Sequence, residues 1–166
     1  EKWRAPESGA RYEGERWSSA GKRGRDPRLV GALLERLLRQ RGGLVLDAPC
    51  GTGRLGPALA GFGRVVGVDV SPSLLRQAHA SGERYLLLGD VERLPFRDSS
   101  FDAVVCCRLL HHLREREQLA GVLAELVRVS RELVIASFWD AHSLPAWRRA
   151  LLPARRAPRR FARPRA

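Results

Sequence analysis

Residues 44–54, which read LVLDAPCGTGR, decide the fold of this chain. Their apolar run ends at Asp47, and a glycine turn then leads into a helical pattern. This order indicates a buried strand that delivers a tight loop to a helix N-terminus, a usual place for a nucleotide-like ligand. Two later apolar runs also end in an acid, at Asp69 and Asp90. Three carboxylates at one edge of a parallel sheet suit a ligand with several hydroxyl and amino groups, whereas they do not suit a bare phosphate.

The hydrophobic pattern predicts strands that alternate with helices along most of the chain. Strands are expected at about 43–48, 64–69, 84–88, 101–106 and 132–138. Helices are expected at about 27–42, 54–61, 71–79 and 116–128, the first with Asp26 as its N-cap and Pro27 as its first helical residue. This alternation predicts an α/β fold with a doubly wound, mostly parallel sheet. In such sheets the ligand lies beyond the carboxyl ends of the strands.

Composition divides the chain into an N-terminal arm or lid (1–26), a ligand-binding core (27–140) and a basic Arg/Pro-rich tail (141–166). The net charge is +12, and residues 148–166 alone carry eight Arg and no acid. Such a tail could be a nucleic-acid arm, or it could reflect a GC-rich coding sequence. The second interpretation is favoured, because prolines interrupt the tail and no aromatic series alternates with the arginines for base stacking.

The cysteines and the start of the chain favour a reducing cytoplasm. Cys106 and Cys107 are neighbours in a predicted strand, so their side chains point to opposite faces and are poorly placed to pair. The chain begins without the apolar core of a signal peptide, and no run approaches the length of a membrane span. No metal site is expected, because the adjacent His111 and His112 rarely converge on one ion and no other ligands have metal-site spacing.

The segment from Gly51 to Gly56 formally matches the dinucleotide-binding fingerprint, and Asp69 follows Gly51 by 18 residues. An NAD-dependent dehydrogenase is nevertheless disfavoured. Asp47 would repel a pyrophosphate, and Asp90 supplies a third acid that a dehydrogenase does not need. The chain also contains only two Lys and two Tyr, none placed for a Tyr/Lys proton relay.

The ordered motifs resemble those of class I S-adenosylmethionine-dependent methyltransferases, most closely the small-molecule and quinone-methylating type. The matching segments are 46–53, 66–69, 89–96, 101–105 and 110–113. The resemblance implies S-adenosylmethionine as cofactor and a small-molecule acceptor, such as a quinone or a lipid-like compound. The sheet of that family normally ends in an antiparallel hairpin, which residues 139–166 do not predict. We therefore expect a shortened domain without the hairpin, or a partner chain or second copy that covers the edge of the fifth strand.

The resemblance also implies which residues bind the cofactor. Asp47 would meet the ammonium group, Asp69 the ribose hydroxyls and Asp90 the adenine amino group, which are charge-assisted contacts. Cys107 and Arg108 would lie beside the methionine portion and the transferred methyl group. The remaining members of this predicted site are Ala48, Pro49, Cys50, Gly51, Thr52, Gly53, Val70, Ser71, Leu74, Gly89, Val91 and Glu92.

The sequence is less specific about the acceptor and about catalysis. No general base can be assigned, and the candidates for the acceptor pocket are Arg108, His111, Tyr12, Asp140 and His142. The family often has Gly where this chain has Pro49, so any contact through that N–H is lost. Two further interpretations stay open: a catalytically weak scaffold that binds the cofactor, and an RNA methyltransferase that uses the basic tail.

Overall fold

The computed structural model describes residues 20–138, with side chains from Arg25 onward. Its strands are β1 (Gly43–Asp47), β2 (Gly63–Asp69), β3 (Tyr85–Leu88), β4 (Phe101–Cys106) and β5 (Ser130–Ala136). Its α-helices are α1 (Ala20–Leu37), α2 (Gly56–Leu59), α3 (Pro72–Ala80) and α4 (Arg116–Val129), and a short 3₁₀ helix spans Leu110–His112. The candidate residues Tyr12, Asp140 and His142 and the basic tail lie outside the described residues.

The five strands form one parallel sheet in the order β3-β2-β1-β4-β5. This arrangement confirms the predicted α/β fold. The strand order reverses between β1 and β4, so a crevice opens beyond the carboxyl ends of these two central strands. The loop after β1 therefore begins at the natural ligand-binding point of the sheet.

Helices cover both faces of the sheet, which explains why its central strands are almost continuously apolar. On one face Leu46 packs in a cluster with Val122 and Leu126 of α4. On the other face Val45 packs with Val30 and Leu34 of α1. Neighbouring residues of β1 thus serve two separate cores, and the strand is fixed from both sides.

The predicted start of the first helix is wrong. Helix α1 begins at Ala20, so Pro27 lies inside it and Asp26 is not its N-cap. The Asp26 carboxylate instead accepts hydrogen bonds from Arg54 and Arg108, which are distant in sequence. The division of the chain into an arm, a core and a tail remains a prediction.

Within residues 20–138, β3 and β5 each have a single neighbouring strand and form the two edges of the sheet. The expected absence of a C-terminal hairpin concerns residues 139–166, which lie outside the described residues. The segment between β3 and β4 is fixed to α4 by Arg128, which donates to the carbonyl oxygens of Leu94 (3.1 Å) and Phe96 (2.8 Å). In this same part of the chain, no helix has the length and apolar character needed to cross a bilayer.

Candidate functional site

The glycine turn after β1 is held between the two neighbouring strands. The N–H of Ala48 donates to the carbonyl oxygen of Val105 in β4, and that of Cys50 donates to Val68 in β2, each at 2.9 Å. Gly51 then adopts a φ of +58°, a left-handed conformation that glycine takes without steric cost. The turn is therefore fixed at the point where the strand order reverses.

A cavity with about 710 Å³ of empty space, counted to its open mouth, lies against this turn. The predicted site residues that line it are Pro49, Cys50, Gly51, Thr52, Asp69, Val70, Leu74, Cys107 and Arg108. The sequence interpretation missed four further lining residues, namely Arg54, Leu55, Leu109 and His112.

A second cavity of about 320 Å³ adjoins the first and contains the third predicted acid. It is lined by Asp90, Val91 and Glu92, and it shares Pro49, Val70 and Leu109 with the larger cavity. Asp69 and Asp90 thus line two adjoining cavities at the same edge of the sheet. An elongated ligand could extend from one cavity into the other.

Other predicted residues support the cavities without lining them. Ala48 is buried in the core, Gly89 donates its N–H to the carbonyl of Asp69 (3.0 Å), and the hydroxyl of Ser71 lies 3.0 Å from that of Ser73. Gly53, which has a φ of +76°, also lines neither cavity.

The two adjacent histidines differ in position. His111, the candidate for the acceptor pocket, lines neither cavity, whereas His112 lines the larger one. Their ring centroids lie 4.1 Å apart at the 3₁₀ helix. No cluster of His, Cys, Asp or Glu within the described part of the chain is arranged to hold a metal ion.

Asp69 fixes the geometry of the site with both carboxylate oxygens. Oδ2 accepts the N–H of Gly51 and Oδ1 accepts the N–H of Ser71, each at 2.9 Å. Burial raises the pKa of Asp69, while the N–H donors of Ser71, Gly51 and Val70 act in the opposite direction. Because a carboxylate offers about four acceptor positions, Asp69 can hold the turn and still accept hydrogen bonds from a ligand.

Asp47 is the most unusual side chain of the site. It is only 1% exposed and lines neither cavity, and neither carboxylate oxygen has a hydrogen-bond partner among the described residues. Burial, together with the negative charges of Glu83 and Asp69, raises its pKa well above the ordinary value, and the charge of Arg54 only partly opposes them. A buried carboxylate without partners is costly, so the molecule has a position that a cationic hydrogen-bond donor would satisfy.

Glu83 is a feature of the site that no pattern in the sequence predicts. Its side chain packs against the glycine turn: a Cβ on Gly53 would lie 2.8 Å from its Cγ, and a Cβ on Gly56 would overlap its carboxylate. Burial raises the pKa of Glu83. Gly53 is required by its positive φ and by contacts with Glu83 and Ala78, whereas a side chain at Gly56 would displace the Glu83 carboxylate. The packing of Glu83 also adds a further acid near Asp47.

The cysteines of the site are unsuited to act as nucleophiles. Burial, followed by the charge of Asp47, raises the pKa of Cys107 to about 11, and burial also raises the pKa of Cys50 and Cys106. The thiolate is the reactive form of cysteine, so these residues act as small apolar groups. Only Cys50 and Cys107 line the larger cavity.

The fold and site define a Rossmann-like, nucleoside-binding domain: a glycine turn at the strand reversal, with acids after three neighbouring strands. The family model described as a methyltransferase domain matches residues 46–138. The chain belongs to this family, the class I S-adenosylmethionine-dependent methyltransferases. The resemblance inferred from the motifs is thereby confirmed, and so is the cofactor that it implied.

Among curated relatives, a tRNA (carboxymethyluridine(34)-5-O)-methyltransferase of Arabidopsis thaliana is 34% identical over 68% of this chain and 27% of its own length. A ubiquinone biosynthesis O-methyltransferase of Coxiella burnetii is 32% identical over 63% of this chain and 47% of its own. The chain thus spans less than half the length of these relatives.

Among solved structures, magnesium protoporphyrin IX methyltransferase from Synechocystis, with bound S-adenosylhomocysteine, superposes with a TM-score of 0.67. The match is 22% identical and covers 87% of this chain and 73% of that one. At this level of identity the likeness shows the fold alone.

Proposed function

We propose that this domain binds S-adenosylmethionine in the two adjoining cavities and transfers its methyl group to a small-molecule acceptor. The observation that carries the proposal is Asp47, a fully buried carboxylate that has no hydrogen-bond partner among the described residues. The ammonium group of the cofactor would supply both the missing donors and the compensating charge. We therefore expect Asp47 to be ionised when the cofactor is bound.

The other acids fit the remaining parts of the cofactor. Asp69, already fixed by the N–H groups of Gly51 and Ser71, would accept hydrogen bonds from the ribose hydroxyls. Asp90 lines the smaller cavity, where its carboxylate would accept from the adenine amino group. Its Oδ1 also accepts the N–H of Glu92 at 3.0 Å, which fixes the carboxylate in place.

The charges of the site favour this cofactor over a dinucleotide. The negative charges of Glu83 and Asp69 both act on Asp47 beside the glycine turn. A pyrophosphate next to these acids would be repelled, whereas an ammonium or sulfonium group would be attracted. NAD binding, although consistent with the glycine spacing, is therefore disfavoured.

When bound, S-adenosylmethionine supplies an electrophilic methyl carbon on a sulfonium. The protein then needs mainly to align the acceptor with that carbon and to exclude water. Cys107 and Arg108 follow β4 and form one wall of the larger cavity, and His112 also lines it. We expect these three residues to border the acceptor, with His112 as the side chain able to take up a proton if the acceptor must lose one.

The lining of the larger cavity supports a small acceptor. Among the described residues it includes Leu55, Leu74 and Leu109 but no Phe, Tyr or Trp, so the imidazole of His112 is the one aromatic ring there for stacking, whereas a single strand stacks successive bases on several. The relative named for ubiquinone biosynthesis is consistent with a quinone-like acceptor.

One titration tests cofactor binding. Calorimetry with S-adenosylhomocysteine should show saturable binding, whereas NAD at the same concentrations should show none. Binding of NAD without S-adenosylhomocysteine would reverse the assignment. If the cofactor binds but a panel of phenolic, quinol and lipid acceptors yields no methylated product, the domain is a binding scaffold instead.

An RNA acceptor is the second candidate, because one relative is named as a tRNA methyltransferase and the tail carries eight Arg in residues 148–166. Removal of residues 148–166 separates the two proposals. Small-molecule methylation should persist, and any RNA affinity should be unchanged. A loss of RNA methylation and RNA affinity on removal would favour the RNA acceptor.

A further inference from the structure

Asp26 connects helix α1 to two distant parts of the chain. Its Oδ2 accepts hydrogen bonds from Nη2 of Arg54 at 3.0 Å and from Nε of Arg108 at 2.6 Å. The three side chains are between 18% and 24% exposed, so water screens them less than it screens a surface pair. Burial acts to raise the pKa of Asp26, but Arg108 and Arg54 together outweigh it and hold the pKa below its ordinary value.

The two arginines belong to different walls of the larger cavity. Arg54 ends the glycine turn that follows β1, and Arg108 lies just beyond β4. Both line the cavity, whereas Asp26 does not. A single carboxylate outside the cavity therefore joins the two loops that form its sides.

The backbone at Arg108 is also specialised. Arg108 has a φ of +65°, a conformation that is uncommon for a residue other than glycine. Its N–H donates to Oγ of Ser137 at 2.9 Å, which holds the backbone in this conformation. Arg108 is thus fixed at two points, by Ser137 through the backbone and by Asp26 through the side chain. Strained residues of this kind persist where the surrounding structure over-determines them, often at ligand sites.

We propose that Asp26 is a positioning residue of the cofactor cavity: it holds Arg54 and Arg108, and through them the loops after β1 and β4, at the separation that the bound cofactor requires. This inference rests on the proposed function. It assigns to α1 a part in cofactor affinity, although no residue of α1 from Arg25 onward lines the cavity.

The test compares S-adenosylhomocysteine affinity in wild type, Asp26→Asn, Asp26→Ser and Asp26→Glu by calorimetry. Loss of the charged acceptor in Asp26→Asn and Asp26→Ser should weaken binding by about tenfold, the effect of losing one charged hydrogen bond. Asp26→Glu should recover part of the loss. The matched control is Glu35→Gln, because Glu35 lies on the same helix and pairs with Arg41 at the exposed surface. Its affinity should stay within about twofold of wild type.

A double-variant cycle separates positioning from a general loss of stability. Because Asp26 acts through both arginines, the background of the cycle is Arg54→Gln/Arg108→Gln, and adding Asp26→Asn to that background should weaken binding no further. Independent losses that multiply would overturn the inference, as would wild-type affinity in both Asp26→Asn and Asp26→Ser. Failure of the wild-type protein itself to bind S-adenosylhomocysteine would overturn the proposed function, and the inference with it.

Discussion

Two acids at opposite ends of the sheet, Asp102 and Asp47, differ in how their carboxylates are paired. At the amino end, Asp102 accepts the N–H of Leu44 at 2.8 Å through Oδ2 and pairs with Arg131 at 2.5 Å through Oδ1. At the carboxyl end, Asp47 is more deeply buried and neither of its oxygens has a hydrogen-bond partner within the described residues. Within the described residues the chain itself satisfies the first acid, and we propose that a ligand satisfies the second.

We infer from this contrast that stability is traded for function at Asp47. A paired carboxylate such as Asp102 forms hydrogen bonds that stabilise the fold, whereas an unpaired buried carboxyl group destabilises the ligand-free protein. Proteins commonly tolerate such a cost at functional sites. The comparison predicts that matched substitutions at the two ends will affect different properties, namely ligand affinity at the carboxyl end and folding stability at the amino end.

The largest effect is expected at Asp69. Asp69→Asn should weaken S-adenosylhomocysteine binding by about 100-fold or more, because the carboxamide keeps only one acceptor oxygen, so one backbone contact of the turn and the charged acceptor for the ribose hydroxyls are lost together. Asp102→Asn should leave the affinity within about twofold while lowering the unfolding midpoint. Calorimetry and thermal unfolding of both variants check this prediction. Comparable affinity losses in both would show that the two ends are not functionally distinct.

A smaller effect is expected from adding one methyl group at each end. A Cβ on Gly67 would lie 3.0 Å from Sγ of Cys50, so Gly67→Ala should displace the turn and weaken S-adenosylhomocysteine binding by about tenfold. A Cβ on Gly43 would overlap the side chain of Asp102. Gly43→Ala should therefore lower the free energy of unfolding by about 1–3 kcal/mol without weakening the binding of S-adenosylhomocysteine. The reverse pattern would contradict the assignment of function to the carboxyl end.

Asp47→Asn should raise the free energy of unfolding, by less than Gly43→Ala lowers it. Because the folded state raises the pKa of Asp47 above its ordinary 3.8, it keeps a proton that the unfolded chain releases. The stability of the wild type should thus fall as the pH rises from about 3.8 through the raised pKa. Asp47→Asn has no group that titrates at this position. Its free energy of unfolding should therefore exceed that of wild type by a difference that grows over this pH range to about 1–2 kcal/mol. Denaturant unfolding at several pH values measures the difference, and an advantage that shrinks with rising pH would contradict the sign.

Local pattern was sufficient to predict most of the fold. The five strands agree with their predicted ranges to within two residues at each end, because apolar runs bounded by acids and glycines are strong local signals. The start of α1 was wrong, since Asp26-Pro27 has the form of a helix start but Asp26 is held by arginines 28 and 82 residues away. Contacts between residues so far apart in the chain produce no local or periodic pattern in the sequence.

The candidate site likewise has some residues that local pattern predicts and others that only the folded structure brings in. The acids at Asp47, Asp69 and Asp90 were identifiable because each ends an apolar run. Glu83 was not, because its role depends on the absence of side chains at Gly53 and Gly56, which only the packed structure reveals. His112 rather than His111 lines the larger cavity, because the 3₁₀ helix sets which of two adjacent side chains faces it.

The central claim is that the unpaired carboxylate of Asp47 receives the ammonium group of the cofactor. The most direct test titrates wild type and Asp47→Asn with S-adenosylhomocysteine and with 5′-methylthioadenosine, which keeps the nucleoside but lacks the amino-acid part. Asp47→Asn should weaken the binding of S-adenosylhomocysteine by at least about tenfold and leave the affinity for 5′-methylthioadenosine within about twofold of wild type. Equal losses for the two ligands, or no loss for either, would contradict the claim.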